Sequence, residues 1–226
     1  KNIALNNITV SGDTRYDRVA DNAAAFEPLP ALIPAFCGNH PVLVAGSTWA
    51  EDEEELMHYA KTNPQIKFII APHEIDNENI GEVKKRFRGC LLFSELSGDS
   101  STNFTGNVLI IDNIGMLSRL YKYAHIAYVG GGFGDDGLHN ILEPAVFGCP
   151  VIFGPNHDKF PEAQAMIDSG GAFSVENALK IEKILTGLFA DKDHLEKSGA
   201  AAKNFIHQNR GATALIVKFI EEKKLL

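Results

Sequence analysis

The chain is predicted to be a doubly wound α/β domain with a parallel sheet, on three observations. Short Val- and Ile-rich runs alternate with helix-period segments from end to end. The runs are apolar throughout instead of alternating, the pattern of strands covered on both faces. With 45% hydrophobic and 22% charged residues in 226, the composition is that of a globular protein with one large core. Helices between successive strands then require a layered structure with helices on both faces.

Strands are predicted at 8–11 (ITVS), 41–46 (PVLVAG), 66–71 (IKFIIA), 90–93 (CLLF), 108–111 (VLII), 125–130 (HIAYVG), 150–153 (PVIF) and 172–175 (AFSV). Each is short, β-branched or aromatic, and bounded by turn residues. Helical spacing predicts helices at 16–26, 49–62, 79–88, 116–124, 141–148, 160–169, 178–190, 192–208 and 212–224. The helix from 49 opens with Thr48 and Glu51 at capping-box spacing, and its acidic run 51–55 suits the macrodipole and is read as a solvated face. Asp112 or Asn113 is the expected N-cap of the helix from Met116, and Asn140 that of the helix from Ile141. Pro144 is tolerable because it falls in a first turn. The polar stretch 97–107 reads as a mobile surface loop.

A formal charge of −8 argues against a nucleic-acid partner. The densest basic cluster, Lys84, Lys85, Arg86 and Arg88, is too short to alter that. Cys37, Cys90 and Cys149 are far apart, lack metal-ligand spacing and sit among apolar residues, as core thiols of a reducing compartment do. Apolar runs reach about five residues, against the ~20 a membrane helix needs. No signal peptide is expected from the opening residues, and with Lys1 first the chain reads as one domain, 1–226, of a longer protein.

Ligands of such sheets bind beyond the carboxyl ends of the strands, and four of these loops carry unusual chemistry. Gly46-Ser47-Thr48 offers a close backbone approach and free amides at a helix start. His73 follows Pro72 at the end of its strand, and Asn113-Ile114-Gly115-Met116 turns at a glycine. The richest loop places Gly130, Gly131, Gly132, Gly134 and Gly137 before His139-Asn140-Ile141-Leu142-Glu143, where a ligand group can approach bare backbone and Glu143 can accept the hydroxyls of a ribose. Gly132, Gly134 and Gly137, with Asp158 beyond, also match a dinucleotide fingerprint. That reading is rejected: the match lies after five strands, and Asp135 and Asp136 would face the pyrophosphate.

The residues His139-Asn140-x-Leu142-Glu143-Pro144, then Gly148-x-Pro150-Val151-x-x-Gly154-Pro155, resemble the nucleotide-sugar domain of the 3-deoxy-D-manno-octulosonic acid (Kdo) transferases. The resemblance extends to Gly12-Asp13-Thr14-Arg15-Tyr16-Asp17, Gly46-Ser47-Thr48, Asp112 to Leu117, Lys159-Phe160 and Asn209-Arg210-Gly211-Ala212. Four departures stand out: Trp49 replaces a histidine, Met116 a glutamate and Leu138 a glycine, and the arginine of the family's P-R-H is missing before His73.

The resemblance implies a Rossmann-like C-terminal domain of a GT-B glycosyltransferase. It implies inverting transfer of Kdo from CMP-Kdo to a lipid A precursor, without metal or cofactor, at the cytoplasmic face of the bacterial inner membrane. Membrane contact, the acceptor and the general base would belong to an N-terminal domain outside this chain. Carried over by motif, Arg15 stabilises charge in the transition state. By the same carry-over His73, Ile114, Gly115, Met116, Asn140, Ile141, Leu142 and Glu143 bind the donor, and the reading of the strand-end loops adds Ser47, Thr48, Gly131 and Gly132 as donor-binding residues. A UDP-sugar enzyme of the same architecture and a non-catalytic nucleotide-binding module are the alternatives.

Overall fold

A computed structural model describes residues 8–96, 104–134 and 137–225. In chain order its elements are α1 (Thr14–Ala24), α2 (Leu32–Cys37), β1 (Val42–Thr48), α3 (Ala50–Thr62), β2 (Lys67–Pro72), α4 (Asn77–Arg86), β3 (Leu91–Leu92), β4 (Val108–Ile110), α5 (Leu117–Leu120), β5 (Ile126–Val129), α6 (Leu142–Ala145), β6 (Val151–Phe153), α7 (Pro161–Asp168), β7 (Ala172–Ser174), α8 (Ala178–Ala190), α9 (Lys192–Gln208) and α10 (Ala212–Lys223). Lys1, Asp135, Asp136 and 97–103 of the expected mobile loop lie outside the described residues.

All strand pairs are parallel, in the order β3-β4-β2-β1-β5-β6-β7. The strand order reverses about β1, which lies between β2 and β5, so the crevice for a ligand opens at their carboxyl ends. Period-two alternation splits β1 between the faces: Leu43 and Ala45 pack with Leu56 of α3, Val83 of α4 and Leu185 of α8, whereas Val42 and Val44 pack with Ile33 and Phe36 of α2 and Leu120 of α5. Around β5, β6 and β7 a third cluster joins Val129, Val151 and Phe153 to α1, α6, α7 and α9 through Val19, Leu142, Met166 and Ile206. Leu43, Val44, Ile69 and Ile70 are fully buried, each contributing about 1.5–3 kcal/mol of hydrophobic stabilisation.

Seven of the eight expected strands form. The eighth, 8–11, joins no ladder, and Ile8 and Val10 are exposed: the pattern is strand-like, but the segment pairs with neither edge of the sheet. Helix α2 was not expected, because three prolines surround and enter it. Pro34 falls in its first turn, where the amide has no intrahelical partner, and Ile33 and Phe36 anchor it to the sheet. The helix expected at 116–124 is α5 followed by a 3₁₀ turn, Tyr121–Tyr123.

The side-chain caps also differ. Thr48 remains in β1, and the N-cap of α3 is Trp49. Met116 precedes α5 without a side-chain cap, while Asp112 accepts from the amide and hydroxyl of Ser94, tying the chain after β4 to that after β3. Ile141 holds the N-cap position of α6, and Asn140, one residue earlier, accepts from the Leu142 amide at 3.1 Å. Cys37 and Cys149 are buried and Cys90 half-buried, all as free thiols, and burial pushes Cys37 up to about 11 and Cys149 up to about 12.

Candidate functional site

The site begins where β1 ends irregularly. Gly46 pairs with Ala71 and Thr48 with Pro72, so Ser47 is an extra residue in the ladder. Ser47 has φ +52°, a left-handed conformation that an L side chain adopts at a cost of about 1–3 kcal/mol. This kink turns the chain into α3. The Thr48 hydroxyl is buried and donates to Glu53 at 3.0 Å, which leaves its side chain for the protein and not for a ligand.

The acidic run 51–55 is not a uniformly solvated face. Asp52 and Glu53 point inward and are almost wholly buried. Asp52 accepts from the Trp49 amide at 2.9 Å, the Gly131 amide at 2.9 Å and the Tyr128 hydroxyl at 2.7 Å. One carboxylate thus joins the end of β1, the start of α3, strand β5 and the glycine-rich loop. Burial raises its pKa, against the lowering effect of those three donors. Glu53 is pushed up to about 7 by burial, partly offset by the Thr48 hydroxyl and by Arg86, which pairs with it at 3.1 Å.

Three aromatic rings meet above these strands. The Trp49 indole N–H donates to His139 Nε2 at 3.1 Å, and the two rings lie within 18° of parallel with centroids 6.5 Å apart. His73 stacks on Trp49 at 4.5 Å and on His139 at 4.6 Å. These separations form a nearly right-angled triangle with its corner at His73. His73 therefore lies over the seam between two edge-joined rings, with its other side exposed.

The glycine-rich loop is shaped largely by packing. A side chain at Gly130 would strike the Ser47 carbonyl, at Gly131 the Gly137 carbonyl, and at Gly132 the backbone of Gly154. Gly131 also has φ +88°, and its amide is already given to Asp52. Only Gly134, of this loop's described glycines, has open space around it. Beyond the loop, Ile141 and Leu142 are buried, so a ligand meets them through backbone alone. Asn140 Nδ2 donates to Glu143 at 3.1 Å; burial raises the Glu143 pKa and that donor opposes the rise. Glu143 lines a cavity of about 30 Å³ with Ser118 and Arg119 of the α5 region. Arg119 in turn reaches the Gly115 carbonyl at 3.5 Å, so the cavity that Glu143 lines borders the 114–116 turn. In that turn Ile114 is exposed, Gly115 has φ +91° and Met116 is buried, accepting from Asn113 through its sulfur.

Arg15 comes from a helix and not from a strand-end loop. It is the second residue of α1, bonded to Asp13 at 2.7 Å and to the buried Glu162 of α7 at 2.7 Å. Both bonds raise its already high pKa further, and the Arg15 side chain holds Asp13 below its usual range. Asp17, two residues on, accepts from the amides of Gly211 and Thr213, pinning α1 to the start of α10.

The structure therefore gathers Ser47, Thr48, His73, Gly131 and Gly132 at the ends of adjacent strands, with Asn140 to Glu143 and 114–116 alongside. Sequence reasoning gave no site role to four residues: Asp52 and Glu162, and also Trp49 and His139, which it named only within the loop and family motifs. Asp52 was hidden in an acidic run; its spacing of three from Trp49 was the one signal. Among the described residues no group of three His, Cys, Asp or Glu side chains could hold a metal ion, and no helix is long and apolar enough to cross a membrane.

No family model matches the chain. It is 33% identical over 159 residues to a 3-deoxy-D-manno-octulosonic acid transferase of Aquifex aeolicus, covering 68% of this chain and 43% of that protein. To the transferase of the same name from Chlamydophila psittaci it is 36% identical over 176 residues, covering 76% and 40%. The chain thus spans less than half the length of these curated relatives. Among solved structures, the C-terminal CMP-Kdo binding domain of WaaA from Acinetobacter baumannii has a TM-score of 0.66 at 23% identity, covering 84% of this chain and 98% of that one. At that identity the likeness establishes the fold.

Proposed function

This chain is a Kdo-transferase-like domain, related to the 3-deoxy-D-manno-octulosonic acid transferases, and on that premise we propose that it is the donor-binding half of an inverting glycosyltransferase that moves Kdo from CMP-Kdo to a lipid A precursor. The observation that carries the reading is the meeting of the family-like loops at the ends of β4, β2, β1 and β5, four adjacent strands on either side of the reversal in strand order.

In this reading the donor nucleotide lies along those strand ends. Glu143, oriented by Asn140, accepts the ribose hydroxyls. The 114–116 turn offers backbone groups, and His73 an exposed ring. The reaction forms a bond from an acceptor hydroxyl to the anomeric carbon of Kdo and breaks the bond from that carbon to phosphate. The acceptor proton goes to a general base, and CMP leaves with the bonding electrons. Negative charge grows on the departing phosphate, and a preorganised cation stabilises it. Arg15 is such a cation, held in one pose by Asp13 and Glu162.

The base, the acceptor site and the contact with the membrane's cytoplasmic face are assigned to the part of such an enzyme that this chain does not span. Chemistry then requires closure of two domains, and no metal or cofactor takes part.

Calorimetry with CMP and UDP tests the donor assignment. The expected result is CMP binding at least tenfold tighter than UDP; tighter UDP binding, or no binding of either, overturns it. The division of labour is tested by incubating this chain alone with CMP-Kdo and a lipid A precursor. No product is expected, and turnover would place the base here.

A further inference from the structure

We propose that Trp49 is a positioning residue of the donor site: its indole N–H fixes the tautomer of His139, and the two joined rings form the bed that sets the pose of His73. The inference rests on the nucleotide reading only for what His73 then contacts.

An indole nitrogen can donate a hydrogen bond but not accept one. The nitrogen facing it at 3.1 Å, His139 Nε2, must therefore carry the lone pair, which leaves the ring proton on Nδ1. The two rings lie nearly parallel, so this bond runs edge to edge and makes one extended flat surface. His73 covers the seam of that surface and touches both rings. Rotation of His139 about its side chain would break the bond and remove half of the bed. Trp49 is itself held at its backbone, because its amide donates to the buried Asp52, which also takes the Gly131 amide. A path of direct contacts thus runs from the Asp52 carboxylate through Trp49 and His139 to the exposed ring of His73.

A phenylalanine at 49 keeps a ring to stack but has no N–H to give. Long-range proton–nitrogen correlation spectra of the histidine side chains read the tautomer directly. In the unaltered chain His139 is expected to show a protonated Nδ1 and an unprotonated Nε2; a proton on Nε2 overturns the proposal without any variant. In Trp49→Phe both His139 tautomers are expected, with CMP affinity about tenfold weaker, the size of effect typical of one lost hydrogen bond. Trp49→Phe with an unchanged tautomer, or with unchanged affinity, also overturns it. Failure of the unaltered chain to bind CMP is a distinct result that strikes the nucleotide reading and leaves the tautomer measurement standing.

Discussion

Under the proposed function, Arg15 has two demands to satisfy. A cation in the first turn of α1 opposes the helix macrodipole, and Asp13 and Glu162 offset that cost with close ion pairs. On the proposed function, the same pairs orient the guanidinium for a charge that develops only in the transition state. In a full-length enzyme, Arg15→Ala is expected to lower kcat by about 100-fold with little change in donor affinity, and Arg15→Lys to recover part of it. Steady-state kinetics decides this: a variant with normal kcat and only a lower Tm leaves Arg15 as a structural ion pair. Glu143 makes a ground-state prediction instead. A carboxylate accepting ribose hydroxyls forms charge-assisted bonds worth about 1.5–3 kcal/mol, so Glu143→Gln should weaken CMP about tenfold or more by calorimetry. An unchanged Kd removes Glu143 from the ribose.

At the scale of elements, the glycine-rich loop after β5 is a packing device at one end and open at the other. The backbone of Gly132 touches that of Gly154 after β6, and Gly130 touches the kink at Ser47 near the end of β1. These approaches seat the loop between its neighbours on both sides of β5 in the sheet. Gly132→Ala must therefore push two backbones apart, and its Tm should fall by several degrees or more. Gly134→Ala meets open space and should melt like the parent. Thermal melts of the two variants separate packing from mere glycine content: equal melting of both refutes the assignment. The N-terminus of α3 is a second such junction. Asp52→Ala removes its cap and strands the Tyr128 hydroxyl and the Gly131 amide in the interior, an expected loss of about 2–4 kcal/mol measurable by urea unfolding.

For the whole molecule, the inward-facing acids set how stability varies with pH. Glu53 has its folded pKa raised to about 7, above the ordinary carboxylate range near 4.5. The folded state therefore holds this proton more tightly than the unfolded chain does. Its contribution to stability is fully present below about pH 4.5 and is lost as pH rises through about 7. Urea midpoints for the parent and Glu53→Gln should show the parent losing stability relative to the variant between pH 5 and pH 7.5; parallel curves would mean that Arg86 keeps Glu53 ionised throughout.

The sequence by itself determined the parallel α/β class, seven strands within one or two residues of their ends, and the four loops that crowd the carboxyl edge. These were legible because a strand buried on both faces must be continuously apolar, and because local periodicity needs no knowledge of neighbours. Tertiary structure alone decided whether a locally competent segment found a partner. Residues 8–11 have the pattern of a strand but join neither edge of the sheet, and α2 forms despite its prolines because the sheet receives Ile33 and Phe36. It also decided which charges in a run of five acids turn inward, since Gly131, Tyr128 and Arg86 arrive from elsewhere in the chain to meet the buried Asp52 and Glu53. The junction of Trp49, His73 and His139 has the same origin: three rings from three strand ends, as many as 90 residues apart in sequence, brought together by strand order. Side-chain partners so distant in sequence leave no periodic trace, and only the folded chain holds them at bonding distance.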